Sequence, residues 1–409
     1  MRFVLSLIIG CIIAGMACPA FALEGSLLDD EKVTEAETLK LLDAKDVEGR
    51  YVALATTDAD QDADEDILLV DEMGNVSIML NERNGKFAKS AWVAGPVNET
   101  AGPVSLDLSD VDLDNDEDLL LTNSIGMVYL VLAEGKGRYR KMEQISEALN
   151  PESGPVQVRV SDVDLDNDED VILGNTEGVL YQIENVGMGN FGRATELTKV
   201  PNMVPGLYDY VFTDLDFDND EEIIFIDGKG TVYLLENLRG RFATPEHIAG
   251  PFKADAGRVD IEIADYDYDG DDDLVIMGSS GIVVLLENEG QGDFASELEE
   301  IAPPLGPEDG MKIMALSDVD AETSEDIVVL NTKGFLFTIE NDGLGVYEEP
   351  RCIAENLQLS AGLASVVRED MNGDGAEDTL ILDGEGHLYL VLGEYSFVED
   401  RARDLGDDL

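Results

Sequence analysis

The chain is short of positive charge: 26 Lys and Arg stand against 89 Asp and Glu in 409 residues, a formal net charge of -63. A protein that grips a nucleic-acid backbone or an anionic membrane needs a basic face. None can be assembled here, so DNA, RNA and anionic membranes are not expected partners. Cysteine is scarce too, with Cys11 and Cys18 in an N-terminal apolar run and Cys352 far from both. Without that run Cys352 has no intrachain disulfide partner, and it reads as a small buried hydrophobe. The single tryptophan is Trp92, and the only histidines, His247 and His387, lie far apart in sequence. P-loop, nucleophile-elbow, zinc and dinucleotide fingerprints are all missing. The expectation is a binding protein, not an enzyme.

What the chain does have is apolar content, 44%, too much for a charge-dominated disordered polymer. Arg2, the apolar run Phe3 to Ala17, Pro19 and the triplet Ala20-Phe21-Ala22 have the layout of a signal peptide over residues 1–22, which predicts a secreted or periplasmic protein. The run falls short of the roughly 20 residues that span a bilayer, and no later stretch approaches that length, so no membrane span is expected. Lipid attachment at Cys11 or Cys18 is a minor alternative, because Gly15-Met16-Ala17 lacks a Leu-like residue three positions before Cys18. Cleavage after Ala22 removes one base and no acid, leaving 25 minus 89, or -64.

An acidic phrase recurs along the rest of the chain. DADQDADED begins at Asp58, DVDLDNDED at Asp110 and again at Asp162, DLDFDNDEE at Asp214, DYDYDGDDD at Asp265, DVDAETSED at Asp318 and DMNGDGAED at Asp370. Successive starts lie 52, 52, 52, 51, 53 and 52 residues apart, so the phrase marks the unit of the fold. Each copy runs into a β-favouring stretch such as Leu119 to Leu121 or Ile223 to Ile226. A turn at Gly126 or Gly230 follows, and then a second apolar stretch, Val128 to Leu132 or Val232 to Leu235. That is a hairpin. A Gly-x-aromatic unit, as in Gly189-Asn190-Phe191 and Gly240-Arg241-Phe242, reads as the opening of an outer strand, and a further strand precedes each phrase, as in Val104 to Leu108.

Four antiparallel strands in each of seven units predict an all-β fold: a seven-bladed β-propeller of four-stranded antiparallel blades over residues 45–400. Middle strands that are apolar almost throughout suit blades covered on both faces by their neighbours. Nine-residue β-rolls also carry Gly/Asp calcium turns, but this period is wrong for them. Residues 23–44, with Leu39, Leu41 and Leu42, fit either a helix or a strand that closes the ring, and residues 401–409 read as a polar tail. Tyr129, Tyr181, Tyr233 and Tyr389 recur at one strand position and read as blade packing.

Within the phrase the acids alternate. With the first Asp as position 1, carboxylates at positions 1, 3 and 5 of a tight loop turn inward and are joined by an acid at position 9, an oxygen-rich set that suits Ca2+. The candidate ligands are Asp58, Asp60, Asp62 and Asp66 in the first copy, Asp110, Asp112, Asp114 and Asp118 in the second, and Asp162, Asp164, Asp166 and Asp170 in the third. They continue with Asp214, Asp216, Asp218 and Glu222, then Asp265, Asp267, Asp269 and Asp273. The last two copies supply Asp318, Asp320 and Asp326, then Asp370, Asn372, Asp374 and Asp378. Position 6 must bend sharply, and Asn115, Asn167, Asn219, Gly270 and Gly375 tolerate the left-handed conformation there.

This is not an EF-hand, because position 12 is Leu121, Leu173, Phe225 or Ile276 where that loop needs Glu. A solvated acidic turn is the competing reading for any single loop, but seven copies in one register favour the metal. Without a cation the carboxylates would repel and their pKa values would rise. The fifth and seventh copies carry the best sets. The first has Ala63 at the bend, and the sixth has Glu322 and Thr323 in place of the third Asp and the bend residue, which predicts weak binding. Seven Ca2+ would add 14 charges to -64, so most of the acid excess serves solubility or saline surroundings.

DxDxDGxxD-like loops ahead of a strand in seven units of about 52 residues resemble the FG-GAP/VCBS repeats of integrin α-subunit headpieces and of many exported bacterial proteins, over roughly residues 45 to 400. The resemblance implies a seven-bladed propeller whose calcium loops join the first and second strands of each blade, with partners bound by loops on one face. The Phe-Gly signature is only partly echoed, as in Asn190-Phe191-Gly192, which places the chain nearer the bacterial VCBS type than the integrins. The first functional expectation is a monomeric, exported, calcium-binding interaction, adhesion or scaffold module with a protein or glycan partner on a propeller face. The alternative is a carbohydrate-binding or polysaccharide-processing propeller.

Overall fold

A computed structural model of the chain describes residues 38–42 and 49–393, apart from 84, 150–155, 176, 201–208, 252–258, 279, 296–297, 304, 306–311, 320–323, 344, 356, 358 and 360–362. The signal-peptide expectation with Cys11 and Cys18, the 401–409 tail, and the expectations for Asp320, Glu322 and Thr323 lie outside the described residues.

The described strands form seven four-stranded antiparallel sheets, and no helix occurs among the described residues. Blade 4 is representative: Asp209–Thr213 pairs with Glu222–Ile226, which pairs with Val232–Leu235, which pairs with Glu246–Ala249. Blades 1 to 6 repeat this order along the chain. The last blade borrows its fourth strand from the other end, where Thr38–Leu42 lies antiparallel to Leu388–Val391 with Leu39 opposite Leu390. The fold is a seven-bladed β-propeller whose ring is closed by joining the two ends of the sequence.

The apolar middle strands are explained by how the blades stack. Along Glu222–Ile226, Ile223 and Phe225 enter the apolar layer shared with blade 3, whereas Ile224 and Ile226 enter the layer shared with blade 5. Along Asp170–Asn175 the same split sends Val171 and Leu173 to blade 2 and Ile172 to blade 4. One apolar cluster sits at each of the seven junctions, including the one between blades 7 and 1. Each fully buried Leu, Ile or Phe contributes about 1.5–3 kcal/mol relative to exposure. Tyr129, Tyr181, Tyr233 and Tyr389 pack in or against four of these layers. Tyr210 adds a polar tie, its hydroxyl lying 3.1 Å from both the Gln157 and the Ile172 carbonyl oxygens of blade 3, which share its proton.

Two details differ from the expectation. The Gly-x-aromatic unit does not open the outer strand: Phe191 forms a single bridge with Asn185 at the end of the third strand, and the fourth strand starts only at Thr195. The glycine is used for close approach instead, as described below. Cys352 is half-buried on the fourth strand of blade 6, its Sγ facing the Ala354 carbonyl at 3.3 Å, and burial pushes the thiol up to about 11.

Polar ties between blades lie at the ends of the first strands. Ser109 Oγ donates to Glu169 Oε2 at 2.6 Å, and Ser161 Oγ to Glu221 Oε2 at 2.6 Å. Thr213 donates to Asp272 and Ser317 to Glu377 in the same way, each hydroxyl reaching the position-8 acid of the next blade. At the closing junction this hydroxyl is replaced by Glu369, which faces Glu65. Burial and then the Glu369 charge push Glu65 up to about 7, and burial also raises Glu369. Raised carboxyl pKa values stabilise the fold below the unfolded value near 4, and that stability is lost as pH rises through about 7. Glu369→Ser should therefore stabilise the ring by about 1 kcal/mol in urea unfolding at pH 8 through the restored hydrogen bond, with a smaller gain at pH 5. A loss of stability at pH 8 would contradict this account of the seam.

Candidate metal centres

Each acidic phrase forms the turn between the first and second strands, and its own hydrogen bonds shape it. The position-1 carboxylate accepts the backbone N–H groups of positions 5 and 6: Asp110 accepts from Asp114 at 2.9 Å and Asn115 at 2.8 Å, and Asp162 from Asp166 at 3.1 Å and Asn167 at 3.0 Å. The position-5 carboxylate accepts the N–H of position 7, as Asp114 does from Asp116 at 3.1 Å. This winding places positions 4 and 6 in the left-handed region, with φ of 61° at Leu113 and 67° at Asn115, and 61° at Phe217 and 74° at Asn219. Asn and Gly at position 6 suit that conformation. Ala63 adopts it as well, at 69°.

Position 9 is both the last acid of the loop and the first residue of the second strand. Asp118 is buried there and accepts two backbone N–H groups, from Val111 in its own loop at 3.2 Å and from Ala133 beyond the third strand at 2.7 Å. Asp273, Asp326 and Asp378 repeat the pair, and Glu222 reaches the same donors with its longer side chain. Burial pushes Asp118, Asp170, Asp273 and Glu222 up to about 7 and Asp66 and Asp378 up to about 6. Asp60, Asp112, Asp164 and Asp216 at position 3 are also raised, by burial first and then by the neighbouring aspartates.

Carboxylate oxygens from Asp58, Asp60 and Asp62 lie within 4.8 Å of one another, as do those of Asp162, Asp164 and Asp166, of Asp214, Asp216 and Asp218, and of Asp265, Asp267 and Asp269. In the second loop the converging set is Asp110, Asp112 and Asp118. Because Ca–O distances are about 2.3–2.6 Å, oxygens this close can all touch one ion. The donors fit such an ion in a second respect: Asp60 Oδ1, Asp112 Oδ1, Asp164 Oδ1 and Asp265 Oδ1 are buried and have no hydrogen-bond partner. A buried acceptor without a donor is costly, and a hard cation is the partner it lacks.

The seventh loop, ranked beside the fifth on its residues, is built differently. Asn372 Nδ2 donates to Asp378 Oδ1 at 3.3 Å, and Asp370 accepts the N–H groups of Gly373, Asp374 and Gly375. In the sixth, Asp318 and Asp326 stand at the two ends of the loop, with Val319 N–H donating to Asp326 at 2.8 Å.

Two sets of residues that hold these loops were not singled out from the sequence. The first is an Asn 23 residues after position 1: Asn81, Asn185, Asn237, Asn288 and Asn341, replaced by Ala133 and Gly393 in blades 2 and 7. Its N–H feeds the position-9 acid, and its side chain reaches into the preceding blade. Asn185 Nδ2 donates to Val111 O at 3.0 Å, Asn237 to Val163 O at 2.8 Å, Asn341 to Tyr266 O at 2.9 Å, and Asn81 to Met371 O at 2.9 Å across the closing junction. The constant offset, often within a Glu-Asn pair, was the available signal. The second is the glycine of the Gly-x-aromatic unit, which packs on the preceding loop. A Cβ on Gly240 would lie 2.7 Å from Asp164 Cβ, and one on Gly345 would lie 2.8 Å from Asp267 Cβ, both at positive φ. These loops are thus held from their own blade and from the next.

The sequence matches the FG-GAP-like repeat over residues 58–121, 110–173 and 214–276, each match starting on position 1 of an acidic loop and ending in the second strand of the following blade. The chain carries FG-GAP-like repeats within a seven-bladed β-propeller. No curated protein matches it. Among solved structures, this FG-GAP propeller resembles an Agrocybe aegerita lectin that recognises non-reducing terminal N-acetylglucosamine (17% identity, TM-score 0.60, covering 84% of this chain and 95% of that one). It also resembles the BP39L lectin of Burkholderia pseudomallei (15% identity, TM-score 0.62, 85% and 98% covered) and BBS1N in complex with ARL6DN (11% identity, TM-score 0.54, 88% and 97% covered). Likeness at this level of identity reports the propeller fold alone.

The raised acids set the pH behaviour of the FG-GAP loops. Without metal, the folded state takes up protons between the ordinary carboxylate range near 4 and the folded values near 7, so stability grows as pH falls through that window. Cation binding needs the ionised form and grows in the opposite direction. In calorimetry the chelated protein should melt about 5 °C higher at pH 5 than at pH 8, with the order reversed in millimolar Ca2+. Melting that is independent of pH in EDTA would contradict the clustering.

Proposed function

We propose that the chain is an exported calcium-binding propeller that acts as a protein interaction, adhesion or scaffold module, its ions stiffening the blades without taking part in catalysis. The observation that carries this reading is the convergence of three carboxylates in each of five loops, four of which hold a buried oxygen without a hydrogen-bond partner. Only oxygen is offered, and hard oxygen sets of this kind select Ca2+ over softer metals. Positions 1, 3, 5 and 9 would hold the ion, which supplies charge compensation to acids that otherwise repel. Since these residues join the first strand to the second, the ion clips two strands of one blade. The apolar run and Ala-Phe-Ala triplet of residues 1–22 support secretion or a periplasmic location, compartments where calcium is available to such loops.

The surroundings of the two histidines support binding over catalysis. His387 Nδ1 bonds Asp383 Oδ2 at 2.8 Å within its own hairpin, and His247 stands edge-on to Tyr233 in blade 4. The folds shared with two lectins and with the complexed BBS1N support a glycan or protein partner on a propeller face. A glycan is the second reading, favoured by Trp92, which stands 68% exposed on the outer strand of blade 1 and offers a stacking surface.

Calcium titration followed by thermal melting tests the first reading. An ion bound only by the folded form adds about 2.7 kcal/mol per site at a hundredfold excess over Kd, so chelation should lower the melting temperature by many degrees and Ca2+ should restore it. Asp112→Asn with Asp164→Asn should remove part of that increment while leaving the fold intact in EDTA. Identical melting with and without EDTA, together with no metal by elemental analysis, would overturn the assignment. Glycan-array binding abolished by Trp92→Ala would favour the second reading.

A further inference from the structure

The acidic loops carry something that metal binding does not require. Position 4 is Leu113, Leu165, Phe217 and Tyr268 in blades 2 to 5, four consecutive blades, where blade 1 has Gln61 and blade 7 has Gly373. All four side chains are exposed, by 40 to 57%, and all four residues hold φ between 59 and 64°. Bulky residues rarely adopt a left-handed φ. A loop shaped only to bend would carry Gly or Asn there, so these residues set large apolar groups in water at a position that disfavours them on both counts.

The four tips form an arc. Gly189 places its Cβ position 3.4 Å from Asp112 Cβ, and Gly240 lies against Asp164, so the turns of blades 3 and 4 rest on the loops of blades 2 and 3. Those turns also leave Met188, just before Gly189, and Leu238, two residues before Gly240, exposed. Contact between successive loops is direct at blades 1 and 2, where Gln61 Nε2 donates to Asp116 Oδ1. Apolar knobs thus alternate with the exposed position-5 carboxylates Asp166, Asp218 and Asp269 along one face. Exposed apolar clusters rimmed by charge mark interaction sites.

The charge decides the occupant. A partner that buries these tips must bring its surface within a Debye length, about 8 Å in physiological salt, of a protein whose formal charge is -63. Ions in every loop would leave that sign unchanged. We propose that the arc is the docking surface for a cationic amphipathic protein segment, its apolar side chains set among the tips and its Lys or Arg attracted by the negative charge that the loops keep with ions bound. This names the chemistry of the partner in the interaction-module reading and rests on it.

The test uses the mature chain in calcium and about 150 mM salt, with three probes: a synthetic helical Lys/Leu peptide, a Lys/Ser peptide of equal charge, and phosphatidylserine vesicles. The variant Leu113→Asn, Leu165→Asn, Phe217→Asn, Tyr268→Asn keeps every charge and suits the backbone. It should weaken the Lys/Leu peptide at least about tenfold, as loss of anchor residues does, while the Lys/Ser peptide binds both proteins equally weakly. Leu298→Asn, which removes an exposed apolar side chain next to the outer strand of blade 5, should leave both affinities unchanged. If the fourfold variant does not fold, Phe217→Asn with Tyr268→Asn should still weaken the Lys/Leu peptide severalfold. Equal Lys/Leu binding by parent and variant would overturn the proposal, as would binding of the vesicles in preference to the peptide. Either result alongside intact calcium-dependent melting leaves the metal reading standing and removes only this one.

Discussion

A buried carboxylate at the head of each second strand is the constraint on which the remaining structure depends. The second strands are apolar on both faces, because each is sandwiched between two neighbouring blades. A one-residue slip would exchange apolar side chains for apolar side chains, so burial alone sets the register weakly. The acid at position 9 removes that freedom. It accepts one N–H from its own loop and one from beyond the third strand, and it can do so only in a single register. The same residue is forced into a dry site, where burial raises its pKa. In the first four loops the acid at position 3 in front of it is raised as well. Structural order and electrostatic frustration thus have one source, and a divalent cation would relieve the second without disturbing the first.

Much of this was legible in the sequence. The near-constant spacing from Asp58 to Asp370 exposes the seven blades, and the unbroken apolar stretch at Ile223 to Ile226 exposes their stacking, because only a sheet covered on both sides can bury such a run. The alternating acids locate the loops, and the bend at position 6 follows from Asn115 and Gly270. Ring closure stayed open, since Leu39, Leu41 and Leu42 suit helix or strand equally and only pairing with Leu388–Val391 decides. The role of the Gly-x-aromatic glycine was misread, because close approach to Asp164 or Asp267 is a relation between blades that one unit does not reveal. The Asn at 185, 237, 288 and 341 was overlooked for the same reason: its side-chain acceptor belongs to the preceding unit.

The loops differ in local bonding as well as in composition: in the seventh copy an amide stands at position 3, which can donate as well as accept, and Asn372 donates to Asp378. The first copy has a poorer bend residue, but Ala63 takes the left-handed conformation once the Asp58 carboxylate has captured two N–H groups. Local hydrogen bonding outweighs the intrinsic preference of a single residue. Position 4 shows the same imbalance, where Leu113, Leu165, Phe217 and Tyr268 are driven into a conformation they disfavour and left facing solvent.

The central proposal is that the acidic loops joining the first and second strands of the blades are cation sites. Anomalous diffraction from crystals grown with calcium, or with a lanthanide in its place, addresses it most directly. The account predicts peaks inside the first five loops, each within coordinating distance of the position-1 and position-3 carboxylates. A well-ordered propeller whose loops show no anomalous density, with those aspartates turned toward bulk water, would contradict it.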